Sequence, residues 1–160
     1  AGQRQADDGT AAREVGRAEV RLFLDTEFNS YGGELLSIAL VADDGRYFYE
    51  AVEGTEVVNP WVAEHVIPVL RTRPQPRDFV QVLLEQWLAQ FDTVHIVADW
   101  PEDIAYFSKL LITGPGTRID TPPLTMEVLR VDAPSAQPHN ALADARGIRE
   151  FILAGERDGR

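Results

Sequence analysis

Hydrophobic residues follow two kinds of spacing in this chain, with short apolar runs in its first third and helical stripes further on. Residues 20–24 and 35–41 are such runs, and Asp44 and Gly45 form a two-residue hairpin signal before an aromatic segment. The pattern predicts three antiparallel strands. The first is expected to be a central strand, buried on both faces, that ends directly in Asp25.

Helical spacing begins after the third predicted strand. Asn59 followed by Pro60 is typical of a helix cap with proline in the first turn, which predicts a helix from residue 60 to about residue 70. Residues 71–77 contain two prolines and are predicted to form a loop.

The second half alternates between helical and strand patterns. An amphipathic stripe over residues 78–91 predicts a helix, residues 94–98 a strand, and residues 104–111 and 141–152 two further helices. Residues 114–138 are rich in glycine and proline and are expected to be mostly loop, with the type of residues 124–131 left open. Three antiparallel strands followed by alternating helices and strands predict a mixed-sheet α/β domain.

Composition places one such domain at residues 19–156. The chain has 160 residues, of which 44% are hydrophobic, which suits one core. Residues 1–18 are expected to be a flexible tail or a non-native remnant, and residues 157–160 a flexible C-terminus. The sequence has neither a membrane-length apolar stretch nor a signal-peptide core, so we expect a cytoplasmic protein that does not contact membranes.

The cysteine content and the net charge limit the kinds of site and of binding partner that this protein can have. The absence of cysteine excludes disulfides, thiol catalysis and zinc–thiolate sites. The net charge of −11 argues against tight, sequence-independent binding to long duplex DNA, although a local basic patch can still hold phosphates. Arg71, Arg73 and Arg77 either follow a phosphate backbone or belong to a solvated loop.

Asp25 and Glu27 are the first candidate metal ligands. Side chains two apart on a strand point to the same face, so both carboxylates project together from the end of a central strand. Like charges this close favour a bound cation, and hard oxygen ligands favour Mg²⁺ or Mn²⁺ over zinc. Solvated acids at an exposed strand end are the alternative for the pair alone.

His139 and Asp144 frame the start of the last predicted helix. Asp144 lies on its second turn beside the apolar stripe, where it can bind a metal, while His139 on the lead-in can reach a metal-bound water. The alternative for His139 is a surface histidine in a proline-rich loop.

Two acids compete for the remaining ligand position. Pro101 is expected in the first helical turn, which leaves Asp99 outside the helix and places Asp103 inside it, on the buried side. We predict that Asp103 is the ligand and that Asp99 is a loop or capping acid.

Taken together, these motifs resemble the DEDDh family of 3′-to-5′ exonucleases, which have a ribonuclease H-like fold. The family pattern is Asp-x-Glu on the first strand, an aspartate on a helix, and His-x4-Asp on the last helix. The matching residues are Asp25, Glu27, Asp103, His139 and Asp144. The Asp-Thr-Glu-Phe motif and the segment 61–68 are most similar to the compact bacterial 3′-5′ exoribonuclease-like branch.

The resemblance implies a two-metal mechanism with Mg²⁺ or Mn²⁺. Asp25 would bridge two ions, Glu27 and Asp144 would complete one site, Asp103 would support the other, and His139 would act as the general base. The expected substrate is a single-stranded or 3′-overhanging nucleic acid, with RNA favoured, and the expected product is a nucleoside 5′-monophosphate. The resemblance also allows a homodimer.

Substrate contacts are predicted at Thr26, Phe28 and Trp100. Either aromatic ring could stack on the terminal base, with core packing as the alternative for both. Two other functions stay open from sequence: a hydrolase of dinucleotides or other small nucleotides, and a nucleotide-binding module without turnover.

Overall fold

The described part of the protein is built around a mixed β-sheet. The computed structural model describes residues 18–159. The strands are β1 (Glu19–Phe28), β2 (Leu35–Ala42), β3 (Tyr47–Val52), β4 (Pro74–Gln75), β5 (Thr93–Ala98), β6 (Ile112–Gly114), β7 (Thr117–Arg118) and β8 (Leu124–Val128). The helices are α1 (Pro60–His65), α2 (Arg77–Leu88), α3 (Pro101–Leu111) and α4 (Ala141–Arg157), with a 3₁₀ turn at Ile67–Val69.

Six strands form the main sheet in the order β4-β3-β2-β1-β5-β8, and β6 and β7 form a separate small hairpin. Strands β1, β2 and β3 are antiparallel, whereas β5 runs parallel to β1 and β8 parallel to β5. The predicted hairpin turn is present, with Gly45 at a φ of +90°, a conformation that suits glycine. This arrangement confirms the predicted α/β class and is consistent with a ribonuclease H-like fold.

Alternation along the strands divides the core between the two faces of the sheet. Leu22, Leu24 and Ile96 pack on one face against Leu84 of α2 and Phe107 of α3. The other face is covered by α4. Because adjacent residues of β1 point to opposite faces, the two helical layers together bury both sides of this strand, as its continuous apolar run predicts.

The α4 side of the sheet contains smaller apolar clusters. Phe23 and Val97 pack with Ile148, and Ala39 packs with Ala145. The small alanine pair brings α4 close to the sheet, which matters for the acidic residues described below.

Two predicted boundaries are wrong. Strand β1 continues to Phe28, so Asp25 lies within the strand and not at its end. The helix predicted to reach residue 70 ends at His65, since Pro68 has no N–H to donate to the carbonyl of Glu64. The predicted cap is confirmed, with Asn59 Oδ1 accepting a hydrogen bond from the backbone N–H of Trp61 at 3.0 Å.

Short strands were missed in the loops that contain proline and glycine. Within residues 71–77, β4 pairs with β3 at the edge of the sheet, where proline is tolerated. Residues 114–138 contribute to the small hairpin, and β8 forms within residues 124–131, whose type the sequence left open. Such short edge strands owe their structure to pairing with a neighbour, which local sequence does not show.

The chain termini lie partly outside the described residues. The tail predicted at residues 1–18 falls outside them except for Ala18. Helix α4 includes Arg157, the first residue of the predicted C-terminal tail, and residue 160 is not described, so the flexibility of this tail stays a prediction. Within residues 18–159, every helix falls short of the length and hydropathy that a membrane span requires.

Candidate active site

Asp25 and Glu27 project from β1 toward the side of the sheet that α4 covers. On the neighbouring strand β2, Asp25 is paired with Ala39 and Glu27 with Ser37. These small neighbours leave room above the sheet for carboxylates and for groups that approach from α4. The prediction that both acids share one face is confirmed.

Helix α4 brings Asp144 to the same place. Asn140 caps the helix by accepting a hydrogen bond from the backbone N–H of Ala143 at 2.9 Å. This cap fixes the first turns of α4, where Asp144 Oδ2 accepts a hydrogen bond from the backbone N–H of His139 at 3.2 Å. Carboxylate oxygens of Asp25, Glu27 and Asp144 lie within 4.8 Å of one another.

Asp103 approaches from the first turn of α3 and is only 3% exposed. Its Oδ1 accepts hydrogen bonds from Thr26, from the backbone N–H at 3.2 Å and from the hydroxyl at 2.6 Å. Thr26 itself is 5% exposed. The threonine side chain therefore holds Asp103 in place, and substrate contact at Thr26 stays a prediction.

Asp99 joins the site although we expected it to be a loop or capping acid. Carboxylate oxygens of Asp25, Asp99 and Asp103 lie within 4.8 Å of one another. Helix α3 has no side-chain cap, so Asp99 does not fill that role. Pro101 does keep Asp99 out of the helix. Asp99, at the end of β5, and Asp103, in the first turn of α3, nevertheless reach the same point, although they do not share a helix face.

A sequence signal for Asp99 exists in the strand register. Leu24 of β1 pairs with Ala98 of β5, and the two strands are parallel. Asp25 and Asp99 are the next residues along these neighbouring strands, so their backbones are adjacent. Placing β5 beside β1 would have been enough to expect this contact, but the order of strands in a sheet cannot be read from local periodicity.

Burial raises the pKa values of all five carboxyl groups, and neighbouring acids add to this effect at Asp25 and Glu27. Burial, reinforced by the charges of Asp103 and Glu27, raises the pKa of Asp25 well above its usual range. Burial and the Asp144 carboxylate raise the pKa of Glu27 to about 8. Burial is also the main cause that raises the pKa of Asp103 to about 7 and increases those of Asp99 and Asp144.

The donor set fits a divalent cation. Asp25 belongs to both groups of three carboxylates, and its Oδ2 is buried without a hydrogen-bond partner among residues 18–159. A buried carboxylate oxygen with no partner is costly unless a cation or hydrogen bond compensates it. Oxygen-only ligands suit Mg²⁺ or Mn²⁺.

His139 stands at the rim of this acidic centre. Its backbone has a φ of +69°, uncommon for a residue with a side chain, and its ring meets the Trp61 ring edge-on with centroids 5.1 Å apart. His139, Glu27 and Phe28 line one groove of about 330 Å³. The imidazole therefore borders the same open space as a carboxylate of the centre.

The predicted stacking residues occupy different surroundings. Phe28 lines this groove but already stacks on Tyr106, with ring centroids 4.6 Å apart. Trp100 is 58% exposed at the start of α3, so the alternative of core packing is wrong for this ring. Base stacking stays a prediction for both.

The chain was compared with known proteins. No protein-family model matches it. Two 3′-5′ exoribonucleases of Mycobacterium tuberculosis, from strains CDC 1551 / Oshkosh and ATCC 25618 / H37Rv, are each 32% identical to it over 164 aligned positions. Each alignment covers 87% of this chain and 95% of the relative. The chain therefore belongs to the 3′-5′ exoribonuclease family that these two mycobacterial proteins represent.

Proposed function

We propose that this protein is a metal-dependent 3′-5′ exoribonuclease of the DEDDh type that releases nucleoside 5′-monophosphates. The observation that carries the proposal is the convergence of buried carboxylates on Asp25, with His139 beside them. Relatives named 3′-5′ exoribonucleases over nearly the whole chain support the reaction and its direction. RNA is the favoured substrate, as a single strand or a 3′ overhang, and a cytoplasmic location is part of the proposal.

Two divalent cations would be held by the carboxylates. Asp25 is common to both groups of acids and would bridge the two ions. Glu27 and Asp144 would complete one position, and Asp103 with Asp99 the other. When bound, such ions polarise the scissile phosphate and stabilise the charge that develops on the leaving 3′ oxygen.

The other side chains orient the reaction and move protons. His139 borders the groove at Glu27 and can accept the proton of the attacking water, because imidazole exchanges protons near neutral pH. The hydrogen bond from the His139 backbone to Asp144 ties the base to one of the ligands. Thr26 holds the Asp103 carboxylate from the opposite face of β1.

A product ladder tests the proposal directly. RNA and DNA oligomers of one sequence, labelled at the 5′ end, are incubated with the protein and Mg²⁺ or Mn²⁺. We expect stepwise shortening from the 3′ end, faster for RNA, and free nucleoside 5′-monophosphates. Excess chelator should abolish the ladder and added metal should restore it. Internal cuts, shortening from the 5′ end, or turnover in excess chelator would contradict the proposal.

A further inference from the structure

A second groove, of about 530 Å³, lies beside the acidic centre between α4 and strand β3. We call it the arginine groove and define it by the six residues that matter here: Tyr47, Tyr49, Arg71, Gln137, Asn140 and Arg146. Arg71 alone of the three arginines singled out from sequence lines it, and Arg146 was not singled out.

The arginine groove is basic in a strongly acidic protein. The chain has a net charge of −11, yet the residues that line this groove include two arginines and no aspartate or glutamate. Among residues 18–159, the ion pairs involve Arg21, Arg46 and His95 and leave Arg71 and Arg146 without an acidic partner. Both guanidinium groups are thus available to an external anion.

Both arginines are held toward the groove by neighbouring residues. The Arg146 guanidinium lies over the Tyr47 ring, 4.8 Å from its centroid. Arg71 has a φ of +52°, and its Nη2 donates a hydrogen bond to Gln137 Oε1 at 3.2 Å. Ordered side chains lose less conformational entropy on binding than free ones.

The arginine groove lies next to the acidic centre. Asn140 lines it, follows His139 directly, and donates a hydrogen bond from Nδ2 to the Tyr49 hydroxyl at 3.3 Å. Across the sheet, Ala39 pairs with Asp25 on one side and Tyr49 on the other. Tyr49 and Asp25 are therefore two strand spacings apart, roughly 10 Å.

We propose that the arginine groove binds the phosphodiester backbone of nucleotides on the 5′ side of the scissile bond. Arg71 and Arg146 would each contact a phosphate of a single strand whose 3′ end lies in the acidic centre. A dinucleotide would be too short to reach both arginines. The proposal rests on the proposed function, since it assigns the path of the same substrate.

Binding and turnover of a long and a short substrate test it. A seven-nucleotide RNA and a dinucleotide are compared for the parent, for Arg71→Gln/Arg146→Gln, and for Arg71→Lys/Arg146→Lys. Arg118→Gln is the matched control, because Arg118 lies in β7 of the separate small hairpin and does not line the arginine groove. Binding of the labelled RNA is measured separately in chelator, and melting temperatures check folding.

We expect the double glutamine variant to raise KM for the longer RNA about tenfold and to leave the dinucleotide unchanged. The salt dependence of RNA binding should flatten by about 1.4 in log–log slope, about 0.7 for each lost phosphate contact with a single strand. The double lysine variant should retain most of the affinity, because charge is preserved. Arg118→Gln should behave like the parent.

The experiment can contradict the groove assignment without contradicting the proposed function, and the reverse. Equal KM changes for both substrates, or no change for either, would overturn the groove assignment while leaving the nuclease intact. If the parent hydrolyses neither substrate but binds the longer RNA in a manner that depends on both arginines, the groove is supported and the proposed function is wrong.

Discussion

Thr26 and Asp103 are joined by two hydrogen bonds to one carboxylate oxygen, although they come from a strand and a helix distant in the chain. The hydroxyl donates at 2.6 Å and the backbone N–H at 3.2 Å. Thr26 points away from Asp25 and Glu27, so its hydroxyl orients a proposed ligand from behind the strand that carries the other two. The hydrogen bonds of this pair thus link the α3 side of β1 to the acidic centre.

Removal of the Thr26 hydroxyl should therefore weaken metal binding. Thr26→Val keeps the shape of the side chain but loses a hydrogen bond to a charged group, worth about 1.5–3 kcal/mol. We expect metal affinity to fall about tenfold or more, with turnover reduced at limiting Mg²⁺. Thr26→Ser, which keeps the hydroxyl, is the control. Calorimetric titration checks this, and equal metal affinity in parent and valine variant would contradict it.

Asp25→Asn should make the metal-free protein more stable and the enzyme almost inactive. The change removes a carboxyl group whose ionised form is disfavoured in the folded state by burial and by the neighbouring acids, so the metal-free protein should melt at a higher temperature than the parent. Hydrolysis should be almost abolished, since the residue shared by both groups of acids is lost. Glu64→Gln, an exposed change in α1, is the control. Unchanged metal affinity in Asp25→Asn would contradict its role as the bridge.

Stability of the metal-free protein should decrease as pH rises. The pKa of Glu27 is raised from 4.5 to about 8 and that of Asp103 from 3.8 to about 7 in the folded state. At a pH between the unfolded and the folded pKa values, the folded protein holds protons that the unfolded chain has released. The free energy of unfolding is therefore highest at low pH and decreases as the pH rises through neutrality. Melting curves in chelator from pH 5 to 8 measure this loss. Glu27→Gln should reduce the slope, and saturating Mg²⁺ should flatten it.

His139→Ala should reduce turnover by about 10² to 10⁴, the contribution expected of a positioned general base. Metal binding and binding of a nucleoside 5′-monophosphate should change little, because the carboxylates remain. Steady-state rates at neutral pH and calorimetry measure the two properties. His95→Ala is the control, because His95 lies in β5 and its ring pairs with Glu127 and not with the acidic centre. Rates within a few-fold of the parent would show that His139 is not the base.

Both Asp99 and Asp103, near the start of α3, should contribute to hydrolysis, with Asp103 contributing more. Asp103→Asn loses a charge at the residue that Thr26 orients, and we expect hydrolysis to be nearly abolished. Asp99→Asn should give a smaller loss that added metal partly restores, because Asp99 lies beside Asp25 without such hydrogen bonds to Thr26. Rates are measured against metal concentration for both variants. A fully active Asp103→Asn would exclude that residue as a ligand.

The sequence alone determined the elements that depend on local patterns. Apolar runs and stripes predicted the main strands and helices, Asn59 and Asp44-Gly45 predicted a cap and a turn, and the order of the acidic motifs pointed to a nuclease. The strands, helices, cap and turn need only near neighbours in the chain, since side-chain periodicity and turn preferences act over a few residues. The nuclease assignment rested instead on the resemblance of separate motifs to a known family.

Tertiary structure decided which distant groups meet. The parallel pairing of β1 with β5 placed Asp99 beside Asp25, and packing of α3 under β1 gave Asp103 its two hydrogen bonds to Thr26. The arginine groove formed where Arg71 and the α4 residue Arg146 come together beside Tyr47 and Tyr49 of β3. Strand order, helix packing and mutual burial set these contacts and the pKa values that follow, and none of them has a local sequence pattern.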